Sequence, residues 1–128
     1  MSNNHGPGYA KHPEHRIALA SFNGRVLVEV GGEVIADSLD ALRLDESSYP
    51  PVYYLPRRDV RMDRLVRTDH HTYCPFKGDA SYFGIQGGAD DAVWCYEHPY
   101  DEVLAIRERL AFYPKKVDAL RVLPAEEG

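Results

Sequence analysis

His70, His71, Cys74 and Lys77 fall close together in the stretch HHTYCPFKGDASYFGI, residues 70–85. A thiol becomes a nucleophile when nearby positive charge lowers its pKa, and an imidazole beside it can take the proton. One reading therefore makes Cys74 a nucleophile or redox centre, His70 or His71 its base, and Lys77 an electrostatic stabiliser. On an extended strand His70 shares a side with Cys74 and His71 takes the other, provided no bulge intervenes. The competing reading is structural. Free cysteines are commonly small buried hydrophobes, and here Cys74 opens a hairpin turn. Pro75 presets φ, and Gly78 supplies a left-handed residue where the chain returns. Lys77 then either stays solvated at the loop tip or curls toward a pocket, while Asp79 pairs with it or caps the turn.

The aromatics point to a ligand. Tyr53, Tyr54, Tyr73, Tyr82, Trp94 and Tyr96 all fall on expected strands, and packed sheets bury such rings routinely. Nine tyrosines nevertheless exceed what a core of this size requires, and each buried hydroxyl needs a partner. A cleft lined by Tyr54, Tyr82 and Trp94, with Lys77 and Asp79 at its mouth, suits a small polar or aromatic molecule. Binding such a molecule is the expected function. A small enzyme using Cys74 is one alternative. An adaptor that contacts another protein through exposed tyrosines and arginines is the other. A homodimer is the default oligomer.

Composition narrows the field. The chain has 128 residues, a net charge of -5 and 44% hydrophobic residues, which fits one ordinary domain. A nucleic-acid binder usually carries a clustered basic excess. The nearest approach is PRRDVRMDRLVR, residues 56–67, whose interleaved aspartates read as a salt-bridged, solvated face. No nucleic-acid partner is expected. No apolar run of membrane-spanning length exists, and the N-terminus lacks the apolar region of a secretory signal. The two cysteines, Cys74 and Cys95, therefore read as reduced thiols in a cytoplasmic protein. His5, His12 and His15 sit at no recognised ligand spacing, and no Cys-x-x-Cys pair is present. No metal is expected, and the residues name no cofactor.

The elements that must position these residues read mostly as strands. Residues 1–15 lack periodicity and read as a flexible, extended arm. A single mainly-β domain spans 16–123, and a short tail covers 124–128. Val26, Val28 and Val30 alternate, Gly31-Gly32 makes a two-residue hairpin turn, and Val34 and Ala36 resume the alternation. Strands follow at 52–55, on either side of the CPFKG turn, at 91–99 and at 117–123. Residues 59–66 read as one or two helical turns, with Asp59 as N-cap and Val60, Met62, Leu65 and Val66 buried. One longer helix is expected over PYDEVLAIRERLAFYP, residues 99–114. There Val103, Ile106, Leu110 and Tyr113 share a face, acids begin the helix and Pro114 stops it.

PPVYYLPRRDV, TYCPFKGDASYF, DAVWCYEHP and LAFYPKKVDALRV occur in the order found in the family known as domain of unknown function 427, which the chain resembles from about Arg16 to Val122. The resemblance implies a small, mainly-β bacterial protein. It also implies antiparallel β-tent-like sheets, similar to methionine sulfoxide reductase B and certain zinc-binding proteins, and a pocket near CPFKGDASY. It carries a nucleotidyltransferase label too, which the residues do not support. Nucleotidyl transfer needs carboxylates gathered on Mg²⁺. The chain has no Gly-Ser pair, Asp90 and Asp91 are adjacent and face opposite ways on a strand, and GIQGGADD lacks the lysine and hydroxyl of a P-loop.

Overall fold

A computed structural model of the chain describes residues 4–125. Among them, ten strands form three antiparallel sheets, so the fold is mainly β. No described helix is long and apolar enough to cross a membrane.

The first sheet grows from the valine hairpin. Strands β2 (Gly24–Val30) and β3 (Glu33–Ser38) are joined by Gly31 and Gly32, with φ of 60° and 77°. Two successive left-handed residues are what a tight two-residue turn requires. Val26, Val28 and Val30 are buried as the alternation predicts. The expected phase of β3 is corrected: Ile35 and Ala36 are buried, while Val34 is 43% exposed. The cause is a register shift opposite Val28 and Glu29, which leaves Ile35 as an extra residue; a bulge turns two neighbouring side chains to one face. Strand β10 (Ala119–Pro124) pairs along the other edge of β2.

The second sheet has the order β1-β4-β5, from Ile17–Ser21, Leu42–Glu46 and Val52–Tyr54. The third runs in chain order through β6 (Leu65–Cys74), β7 (Gly78–Ile85), β8 (Val93–Tyr96) and β9 (Leu110–Phe112). It is the middle layer, because its side chains alternate between two cores. Phe83, Val93, Cys95, Leu110 and Phe112 join the β2 valines in one cluster. Ala80, Tyr82, Tyr96 and Ala111 join Leu44, Tyr54, Val103 and Ile106 in the other.

The helix expected over residues 99–114 does not form. Asp101–Ile106 is a 3-10 segment kinked at Val103 (φ -128°), Glu108 takes a left-handed φ of 63°, and β9 follows. The expected stripe is buried at Val103, Ile106 and Leu110, yet it is divided between the two clusters. Sheet pairing overrides the helical spacing. Strand β9 pairs with β8 on one side. On the other, the amides of Leu110 and Leu55 each donate to the other's carbonyl at 2.8 Å. A helix there would strand those backbone groups without partners.

Two smaller expectations also change. Residues 57–64 make two 3-10 turns, Arg57–Asp59 and Met62–Arg64. Asp59 closes the first and accepts the Ser38 hydroxyl at 2.8 Å instead of capping a helix, and Val66 is 50% exposed. In the segment expected to be extended, Gly8–Lys11 forms one α-helical turn, α1.

Candidate functional site

The CPFKG stretch is a tight turn between β6 and β7. The Lys77 amide donates to the Cys74 carbonyl at 3.2 Å, and Gly78 takes a φ of 116°. This geometry curls Lys77 inward instead of leaving it at a solvated tip. Its ammonium donates to Glu46, at the end of β4, at 2.5 Å. Nε2 of His15 meets the other oxygen of that carboxylate at 2.7 Å. The side chains of Lys77, Glu46 and His15 are only 12%, 14% and 16% exposed. Lys77 thus pairs with Glu46, whereas Asp79 is exposed opposite Tyr73.

Burial pushes the Glu46 carboxyl up, but its bonds to Lys77 and then His15 outweigh this and hold it below its ordinary range. The native state therefore binds this proton less readily than the unfolded chain does. The resulting stabilisation is complete above the unfolded value of about 4.3 and is lost as pH falls through the lower native value. Urea unfolding of wild type and Glu46→Gln, measured between neutral pH and acid, checks this. The wild-type advantage shrinks below pH ~4.

The N-terminal segment covers the turn. The His15 ring stacks on Phe76 with centroids 3.8 Å apart, and Tyr9 meets the same ring edge-on at 5.0 Å. The Gly8 amide donates to the Pro75 carbonyl at 3.0 Å. A side chain at Gly8 would begin 2.7 Å from the Phe76 ring, so the close approach requires glycine. Glu102 holds the start of the segment by accepting from the Gly6 amide at 2.9 Å and meeting His5 Nδ1 at 3.0 Å.

Lys77 and Glu46 line one end of a groove of about 510 Å³, walled by Tyr49, Pro50, Pro51, Val52 and Pro114. An adjoining recess of about 260 Å³ shares Pro51, Val52 and Pro114 and reaches Trp94. Trp94 is held by two contacts. Its ring lies 4.4 Å from that of Tyr113, and its indole N–H donates to the Tyr54 hydroxyl at 3.2 Å.

The other expected residues fall elsewhere. Tyr54 and Tyr82 are 1% and 6% exposed, so they fill the core. The Tyr82 hydroxyl bonds Thr72 at 2.9 Å. Burial pushes the Tyr54 and Tyr96 phenols far above their ordinary pKa. His70 and His71 are exposed; His70 lies within a register shift between Arg67 and His71, where pairing resumes, and its ring meets Tyr82 edge-on at 4.5 Å. Cys74 is half-buried against the Tyr54 cluster, while Cys95 is buried in the opposite one. Burial pushes the Cys95 thiol up, against the pull of Arg57. Among the described residues no three metal-ligating side chains converge.

Residue reasoning missed Glu46 and His15. Each bond to the Glu46 carboxylate spans 31 positions, beyond the reach of any local pattern. Pro50 and Pro51 were visible, but as the start of a strand and not as a groove wall.

Comparison with curated proteins found no match. The model of the family described as Domain of unknown function (DUF427) matches residues 18–123, which include the middle sheet and both Glu46 and Lys77, and the chain belongs to that family.

Proposed function

We propose that the domain binds a small amphipathic molecule in the groove that runs from Lys77 toward Trp94. The observation that carries this reading is the half-buried Lys77–Glu46 pair at one end of an otherwise apolar groove. Ligand sites are typically apolar concavities of about 300–1,000 Å³ with a few convergent polar groups, and the groove has that size and make-up. Pro51, Val52 and Pro114 take the apolar body of the ligand. Lys77 and Glu46 exchange part of their mutual bonding for its polar group. Prolines suit such a wall, because their fixed φ leaves little to be ordered on binding.

A thermal-shift screen with nucleotides, sugars and amino acids tests the proposal. Compounds that stabilise wild type are expected to bind roughly tenfold more weakly to Lys77→Met, since a charge-assisted bond contributes about 1.5–3 kcal/mol. Tyr49→Ala supplies a second variant that leaves the core intact, because Tyr49 is 67% exposed. Compounds whose affinity is unchanged in both variants would place their binding outside this groove.

A further inference from the structure

A second recess, of about 280 Å³, is lined by Pro56, Arg57, Arg58, Arg107, Glu108 and Arg109. It shares no lining residue with the Lys77 groove. Four arginines line it, in a chain whose net charge is -5. Most other arginines of the protein are neutralised. Arg25, Arg43, Arg61 and Arg67 each hold a carboxylate at 2.7–3.0 Å, and Arg64 holds Glu33.

In the recess the bonding differs. Arg57 Nε donates to the Glu108 carbonyl at 2.8 Å and its Nη2 to the Cys95 sulfur at 3.4 Å, with its nearest carboxylate oxygen, on Glu97, 4.0 Å away. Arg109 Nη1 donates to the carbonyls of Asp40 at 2.7 Å and Tyr54 at 3.3 Å. Neutral acceptors fix a guanidinium in place without cancelling its charge, and each guanidinium carries five N–H donors, more than these bonds use. Arg58 is tied more tightly, to the carboxylate of Asp40, by a close ion pair. The turn carrying Arg107 is set by the left-handed Glu108, whose amide donates to the Tyr96 carbonyl at 3.0 Å.

We infer that this recess binds a phosphate or diphosphate group, free or as part of a small phosphorylated molecule. Several planar, permanently charged forks match a multiply charged oxoanion; a single carboxylate would engage only one of them. The volume fits a compact anionic group.

Titration calorimetry with inorganic pyrophosphate at low salt tests the inference. Saturable one-to-one binding is expected, weakening as salt is raised. Arg107→Ala removes a guanidinium that holds up no other element described above, and is expected to weaken pyrophosphate binding by roughly tenfold or more. Arg107→Lys recovers part of the loss. Adenosine diphosphate and glucose 6-phosphate form parallel arms: tighter binding of either identifies an esterified ligand, while equal binding identifies the anion alone. The absence of saturable binding in all three arms, or affinities unchanged in both Arg107→Ala and Arg58→Ala, would overturn the assignment. Lys77→Met is expected to leave pyrophosphate binding unchanged, which separates this site from the groove.

Discussion

Glu46→Ala destabilises the protein by about 3 kcal/mol. The substitution leaves the Lys77 ammonium and the His15 ring, both largely shielded from water, without the carboxylate that they share. Removing one partner of a buried pair costs far more than the pair contributes, because the remaining charge has lost its solvation and gained nothing in return. The double variant Glu46→Gln, Lys77→Met is therefore more stable than Glu46→Ala, even though it removes more charge. Urea denaturation of wild type, Glu46→Gln, Lys77→Met and the double variant completes the cycle, and a coupling of at least about 1 kcal/mol is expected. A sum of independent effects would show that the pair does not form. The N-terminal segment responds as well: without Glu46, the His15 ring is held by its aromatic contacts with Phe76 and Tyr9.

Phe112→Ala costs about 3–5 kcal/mol, and this result separates the observed chain path from the helix that the spacing suggests. In a helix, Val103, Ile106, Leu110 and Tyr113 would form the buried stripe, and Phe112 would point away from it. Its truncation would then cost no more than about 0.5 kcal/mol, as surface changes do. In the structure Phe112 lies on β9, is 4% exposed and packs in the cluster of the β2 valines. Ala111, its neighbour, is buried in the opposite cluster. Both faces of β9 are thus interior, as they are for a strand in a middle layer that is covered on both sides. Leu104→Ala is the control, since Leu104 is 53% exposed and its loss changes stability little.

What was legible in the residues follows from how local each signal is. The valine hairpin was readable because alternation and a Gly-Gly turn act within a few positions. Its one slip, at Ile35, comes from a bulge, and a bulge depends on the partner strand. The β6–β7 turn was readable for the same reason as the hairpin: Pro75 and Gly78 dictate it. The segment after Pro99 was misread because apolar residues three and four apart also suit a 3-10 turn followed by a strand when two cores await them. The choice is made by Leu55 and β8, which are far away in sequence.

The site divides in the same way. Lys77 and Trp94 border adjoining recesses that share Pro51, Val52 and Pro114. Tyr54, on the second sheet, and Tyr82, on the third, are expected to wall that space but fill the core, because the two sheets pack their side chains into one cluster there. An aromatic on a strand gives no sign of whether its face meets solvent or a further layer. The partner of Lys77 was not legible at all. Asp79 was the near candidate by sequence, but the turn directs Lys77 across to the end of β4.

The central claim is that the groove between Lys77 and Trp94 receives a ligand, and the protein carries its own reporter, since Trp94 is the only tryptophan. Nitrogen–proton correlation spectra of the labelled protein, titrated with the best stabilising compound from the screen, test it most directly. The account predicts saturable shifts of the Trp94 indole N–H together with the Val52 and Lys77 amides. Shifts confined to other parts of the fold, with those three signals unmoved at saturation, would contradict it.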